Sequence, residues 1–216
     1  MQRFILSLIG LLPLLTNALP TATCNTVQIF IAVGHGESYP GTQKSIANLI
    51  CAGRTACGTA NIDYPSTSSN NYCNAVETGI KNGLSVITAY AKDCPQAKIV
   101  LTGWSQGAQV VTDIVSGGGG TGMGNVAKGL VAVSVYGDPR HTATQTFNIG
   151  TGSSKNGVWP RTGTQLEAEN LWSAKLRSYC ADGDIACANG TSTAAHGGYF
   201  GNYAKTPANW IISTLK

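Results

Sequence analysis

Residues 98–102 (KIVLT) form a short apolar run that leads directly into Gly103-Trp104-Ser105-Gln106-Gly107, and Ala108 to Val115 then repeats apolar residues at helical spacing. Strand, sharp turn and helix in that order restrict the chain to a βαβ arrangement. A serine on such a turn carries its hydroxyl above the sheet. The flanking glycines remove side chains that would strike neighbouring backbone. Ser105 is therefore a candidate nucleophile, and the Gln106 N–H at the helix start is placed to face a developing oxyanion. Removing one such donor typically costs about 2.7–4 kcal/mol of transition-state stabilisation.

The rest of the chain repeats the alternation. Residues 27–33 (VQIFIAV) read as a strand buried on both faces, and 42–51 as a weak helix. A short second strand spans 60–64, closed by Pro65. From 71 to 92, Val76, Ile80, Leu84, Ile87 and Tyr90 recur at three and four, one face of an amphipathic helix. Residues 129–136 (GLVAVSVY) give a further buried strand, ended by Gly137-Asp138-Pro139. A Gly/Ser/Thr-rich loop runs to about residue 165, and residues 175–179 give the fifth strand. A last helix covers 201–215, with Trp210, Ile211 and Leu215 inward. The pattern predicts a three-layer α/β/α domain over residues 19–216, with a central, mostly parallel five-stranded sheet. The tetraglycine at 117–120 lacks the Gly-Lys-Ser/Thr of a phosphate-binding loop.

Residues 1–18 are set apart from that domain. Arg3, an apolar stretch from Phe4 to Leu15, and Thr16-Asn17-Ala18 have the three-part form of a secretory signal peptide. The apolar stretch is shorter than the roughly 20 residues of a spanning helix, and no later segment is long and apolar enough to cross a bilayer. A secreted, extracellular chain is expected, with no membrane partner and a monomeric state. Its formal charge of +4 falls to +3 without Arg3, and no Lys/Arg cluster interleaves with aromatics, which argues against nucleic-acid binding. Seven cysteines in an exported chain imply disulfides and leave at least one thiol over. They contain no Cys-x-x-Cys pair, so no metal site is expected. Asn189-Gly190-Thr191 is a candidate N-glycosylation site.

A nucleophilic serine needs a base, and the chain has three histidines: His35, His141 and His196. The order Ser…Asp/Glu…His found in α/β hydrolases selects His196, on a glycine-bounded loop before the last helix. The acids between them are Asp113, Asp138, Glu167, Glu169, Asp182 and Asp184; Asp113 falls in the nucleophile helix, and Glu167 and Glu169 in a polar stretch before the fifth strand. Asp182 and Asp184 lie within Cys180-Ala-Asp-Gly-Asp-Ile-Ala-Cys187, just after that strand. A disulfide closing this loop would stabilise by roughly 2–3 kcal/mol. It would also hold a carboxylate at the carboxyl edge of the sheet, where α/β proteins bind ligands. Spacing alone does not separate Asp182 from Asp184.

The segments CPQAKIVLTGWSQGAQVV, YGDP and SYCADGDIACANGTSTAAHGGY resemble the cutinases and the carbohydrate esterase family 5 acetylxylan esterases, small secreted α/β hydrolases without a lid domain. The resemblance extends from Cys24 to the last helix. It implies Ser105 as nucleophile, His196 as base and Asp184 as acid, without metal or organic cofactor. It also implies the pairs Cys24–Cys94 and Cys180–Cys187, with one further bridge and one free thiol among Cys51, Cys57 and Cys73. The family's first-strand loop carries a Ser or Thr as second oxyanion donor. His35 stands in that position here, leaving its backbone N–H, its ring, or Ser38 in a rearranged loop as the donor. The implied substrate is an ester on an acetylated polysaccharide or a cutin-like polymer. Gly197, Gly198 and Tyr199 beside the base, with Ala181 and Ile185 beside the acid, read as a shallow rim that suits small acyl groups on xylan.

Overall fold

A computed structural model of the chain describes residues 23–67, 71–117 and 128–216; the signal segment read at 1–18 and most of the tetraglycine lie outside them. The continuous apolar run after Cys24 becomes β1 (Val27–Ala32), buried along its whole length. It is flanked by β2 (Cys57–Asn61) and β3 (Lys98–Trp104), both parallel to it. β4 (Leu130–Tyr136), β5 (Asn148–Ile149) and β6 (Leu176–Tyr179) complete a six-stranded sheet of order β2-β1-β3-β4-β6-β5, every pair of which is parallel.

The sixth strand departs from the sequence expectation of five. β5 is two residues long and pairs with Ser178 and Tyr179, too short to leave a pattern inside a Gly/Ser/Thr-rich loop. β2 also lies earlier than the expected 60–64. Its ladder starts at Cys57, which is held by a disulfide to Cys51, while Ile62 and Tyr64 turn into the core.

Helices α1 (Lys44–Cys51), α2 (Tyr72–Asp93) and α3 (Gln106–Val115) connect the first four strands. Right-handed crossovers put α2 and α3 on one face and α1 on the other, because β1 to β2 steps one way along the sheet and β2 to β3 to β4 steps back. The packing agrees: α2 rests on α3, and α1 on the last helix, α6 (Lys205–Thr214). Gly79 and Gly83 of α2 make the first contact close, since a Cβ there would come 2.9 Å from Val110 and 2.5 Å from Ile114.

Two short helices were not legible as pattern: α4 (Gly163–Asn170) and α5 (Thr193–Gly197). The expected final helix starts late, because a 3-10 turn (Asn202–Ala204) precedes α6.

The direction of connection reverses between β1 and β3. The crevice beyond the carboxyl ends of two such strands is where open α/β sheets bind ligands. At the amino ends of the same two strands, Cys24 and Cys94 form a disulfide with Cα atoms 5.5 Å apart. A closed loop of that length stabilises by about 4 kcal/mol in the chain-entropy model. Cys180–Cys187 is also bonded, and Cys73, exposed at the start of α2, is free. Among the described residues no helix is long and apolar enough to cross a membrane.

Candidate active site

Ser105 stands between β3 and α3 with φ +55°, left-handed backbone that costs an ordinary residue about 1–3 kcal/mol. The neighbours make the turn possible. A Cβ on Gly103 would lie 2.2 Å from the Gly107 carbonyl oxygen, and one on Gly107 2.0 Å from that of Ala32. The Ser105 N–H donates to the Tyr136 carbonyl at 2.9 Å, which fixes the turn against β4. Ser105 Oγ then meets His196 Nε2 at 2.9 Å.

His196 sits in α5, whose first turn is capped by Ser192 Oγ accepting the Ala195 N–H. Its carbonyl accepts the Trp104 indole N–H at 2.9 Å, and the two rings pack 5.3 Å apart. Gly137 leaves room for the imidazole, since a Cβ there would reach within 2.9 Å of it. On its other side, His196 Nδ1 lies 2.9 and 3.0 Å from the two carboxylate oxygens of Asp184.

Asp184 is fully buried inside the Cys180–Cys187 loop. Its Oδ1 accepts the N–H groups of Ala186 (2.6 Å) and Cys187 (3.0 Å), and its Oδ2 accepts the Tyr199 hydroxyl (2.6 Å). Burial by itself raises this carboxyl's pKa. The hydrogen bonds from His196, Tyr199 and Ala186 outweigh that and hold it below the ordinary aspartate value. Asp182 points elsewhere: its carboxylate is exposed, 3.9 Å from Lys155.

Tyr199 departs from the reading of a surface rim. It is buried, its hydroxyl donates to Asp184 and accepts the Ala181 N–H, and the two contacts join the acid's loop to the segment after α5. Burial and the neighbouring Asp184 charge push its own pKa up. The spacing of Tyr199 from His196 carries no signal of this, because the contact depends on how the disulfide loop folds back.

The other two histidines separate. His141 is buried with Nδ1 2.8 Å from Ser178 Oγ, and burial depresses its pKa. His35 is exposed in the loop after β1, which pairs with β3 up to Ala32 and Gly103 beside Ser105. Glu37 shapes that loop, its carboxylate accepting the N–H groups of Gly34 and Thr42 at 3.0 Å each. Gln106 opens α3 and carries one of the N–H groups that a helix start leaves without an intrahelical acceptor. Its side chain is buried with neither amide atom hydrogen-bonded. Asn189, the candidate glycan acceptor, is exposed at φ +48°.

Below the site lies a buried ionic cluster that sequence reading missed. Arg161, with no exposed surface, reaches Asp113 (2.7 Å), Asp138 (3.2 Å) and Glu169 (3.4 Å). Glu169, read as part of a polar stretch, is instead buried in α4. Burial raises its pKa to about 7 against the pull of Arg161. Asp138 follows Gly137, so the cluster fixes the backbone that the imidazole rests on. Among the described residues no group of three His, Cys, Asp or Glu side chains is placed to hold a metal ion.

A family model described as Cutinase matches residues 23–215. The chain belongs to the cutinase family. This cutinase-family chain is 29% identical to Cutinase 11 of Verticillium dahliae over 83% of its own length, and spans 60% of that protein. It is 28% identical to Acetylxylan esterase 2 of Talaromyces purpureogenus over 83% of its length, spanning 75% of that relative. A solved acetylxylan esterase structure superposes with a TM-score of 0.77 at 25% identity, covering 89% of this chain and 100% of the other.

Proposed function

We propose that this cutinase-family protein is a secreted serine esterase that removes acetyl groups from plant cell-wall xylan through an acyl-enzyme. The observation that carries the reading is the continuous relay from Ser105 Oγ through His196 to a buried, hydrogen-bonded Asp184. Ser105 attacks the ester carbonyl while His196 Nε2 takes its proton. The oxyanion that forms is held by the Gln106 N–H and a donor from the His35 loop. His196 returns the proton to the departing sugar oxygen, and water, activated by the same imidazole, releases acetate. Asp184 accepts from Nδ1–H, which fixes the tautomer and stabilises the imidazolium.

The choice of a small acyl group rests on the residues flanking the relay. Ala181 and Ile185 are half-buried beside the acid, and Gly197 and Gly198 are exposed beside the base. These supply little apolar wall at the serine, and the apolar cavity of about 410 Å³ that Ala181 and Gly198 help to line includes neither Ser105 nor His196. Similarity in sequence and in fold to acetylxylan esterases points the same way. The second reading, a cutinase, is favoured by the comparable identity to Cutinase 11. Export is supported by the three disulfides, which persist in oxidising compartments.

The experiment is acetate release from acetylated xylan, run beside p-nitrophenyl esters of rising chain length and cutin, with Ser105→Ala as the blank. Acetate release that falls by several orders of magnitude in the variant supports the reading. Near-normal activity in Ser105→Ala refutes the nucleophile. A preference for acyl groups of about eight carbons or more refutes the acetyl substrate.

A further inference from the structure

Trp159 leaves 54% of its surface in solvent, on a loop that is otherwise firmly held. Its own N–H donates to the Pro139 carbonyl at 2.8 Å, and the N–H of Val158 donates to the Ala186 carbonyl at 2.9 Å. Pro139 lies two residues beyond Gly137, which abuts His196, and Ala186 donates to Asp184. The indole is thus carried on backbone bonded to the acid's turn.

Tyr72, the first residue of α2, packs against this indole with ring centroids 5.3 Å apart and planes 58° apart. Its hydroxyl donates to Gln109 Oε1 at 2.9 Å. Gln109 lies in the first turn of α3, and its N–H donates to the Ser105 carbonyl at 3.2 Å. The Gln109 amide in turn donates to Asp113, a member of the Arg161 cluster. One ring is therefore carried on backbone bonded to the Asp184 loop and the other is tied to the helix that follows Ser105.

We infer that the Trp159 indole, buttressed by Tyr72, is a platform on which a pyranose unit of the acylated polysaccharide stacks, presenting the ester to Ser105. The inference rests on the acetylxylan reading above. Aromatic rings carry a negative face, and a pyranose with equatorial hydroxyls presents a face of C–H hydrogens that complements it. The ring pair is already ordered, so stacking costs little side-chain entropy. Around Trp159 the exposed residues Lys155, Asn156 and Thr162 are polar, suited to hydroxyls along a sugar chain. A polyester would need a continuous apolar wall, and beside Trp159 this loop adds Val158 and the half-buried Pro160.

The test compares wild type, Trp159→Ala and Trp159→Phe on acetylated xylan and on p-nitrophenyl acetate. Leu171→Ala, an exposed apolar residue beyond α4, is the surface control. In Trp159→Ala, kcat/KM for the polymer relative to the small ester falls by roughly three- to tenfold, carried by KM rather than kcat. Trp159→Phe recovers most of the loss, and Leu171→Ala leaves the ratio at the wild-type value. An unchanged ratio in Trp159→Ala, or a loss carried by kcat on both substrates, overturns the platform while leaving the substrate reading intact. A wild type that hydrolyses the small ester but releases no acetate from the polymer overturns the substrate reading, and the platform with it. A KM loss seen on cutin instead of xylan overturns the sugar assignment.

Discussion

Tyr199→Phe removes one oxygen and tests how the acid is held. That oxygen donates to Asp184 Oδ2 and accepts the Ala181 N–H, so the variant loses one charge-assisted bond and leaves one backbone donor unpaired. Hydrogen bonds to charged groups contribute about 1.5–3 kcal/mol, and a chain of this size loses roughly 2–4 °C of Tm per kcal/mol. Unfolding at pH 7 should therefore come about 3–12 °C earlier. The pH dependence is the sharper part. Asp184 has a depressed pKa in the folded chain, so its ionic contribution is present above the unfolded value near 4 and is lost as pH falls through the folded one. Losing the tyrosine hydroxyl raises that folded pKa. The stability gap between the two proteins is then widest at neutral pH and narrows below about pH 4, where a protonated Asp184 accepts only a weak bond. Urea unfolding at pH 7, 5 and 3 measures it. Three donors to the carboxylate remain, so turnover should fall by about tenfold, far less than the roughly 10⁴-fold typical when the triad acid is neutralised. A stability gap that stays constant or widens on acidification would refute the claim that Tyr199 acts on the ionised acid.

Ser105→Gly and Ser105→Ala should both abolish turnover, but the glycine variant should unfold about 1 kcal/mol later than the alanine variant, because only glycine occupies φ +55° freely. Equal Tm values would remove the argument for strain at that turn. Glu169 has a folded pKa near 7, above its unfolded value, so wild-type stability should decline as pH rises from about 4.5 through 7. Glu169→Gln should flatten that decline in urea titrations, and a slope as steep as wild type would contradict the assignment. Native protein should react with a thiol reagent at one site per chain, lost in Cys73→Ser.

What the sequence disclosed and what it hid follow one physical division. Val27 to Ala32 and Leu130 to Tyr136 were legible because strands buried on both faces must be apolar at every position. Ser105 was legible because a turn this tight tolerates only glycine at Gly103 and Gly107. Between Asp182 and Asp184 nothing local decides, since the same loop exposes one and buries the other against two backbone N–H groups. Arg161, Glu169 and Tyr199 hid for a related reason. Each looks like a surface residue in its own segment, and only contacts with other segments convert it into a buried partner.

The Cys24–Cys94 bridge and the Ser105 turn occupy opposite ends of one strand pair, β1 and β3. The spacing between the serine's turn and the His35 loop is therefore governed in part from the far side of the sheet. A chain kept in a reducing compartment would lack that clamp, and the ladder from Val27 to Ala32 would hold the strand pair alone. Crossing into an oxidising space then adds a covalent anchor at one end of the strand pair whose other end carries the Ser105 turn.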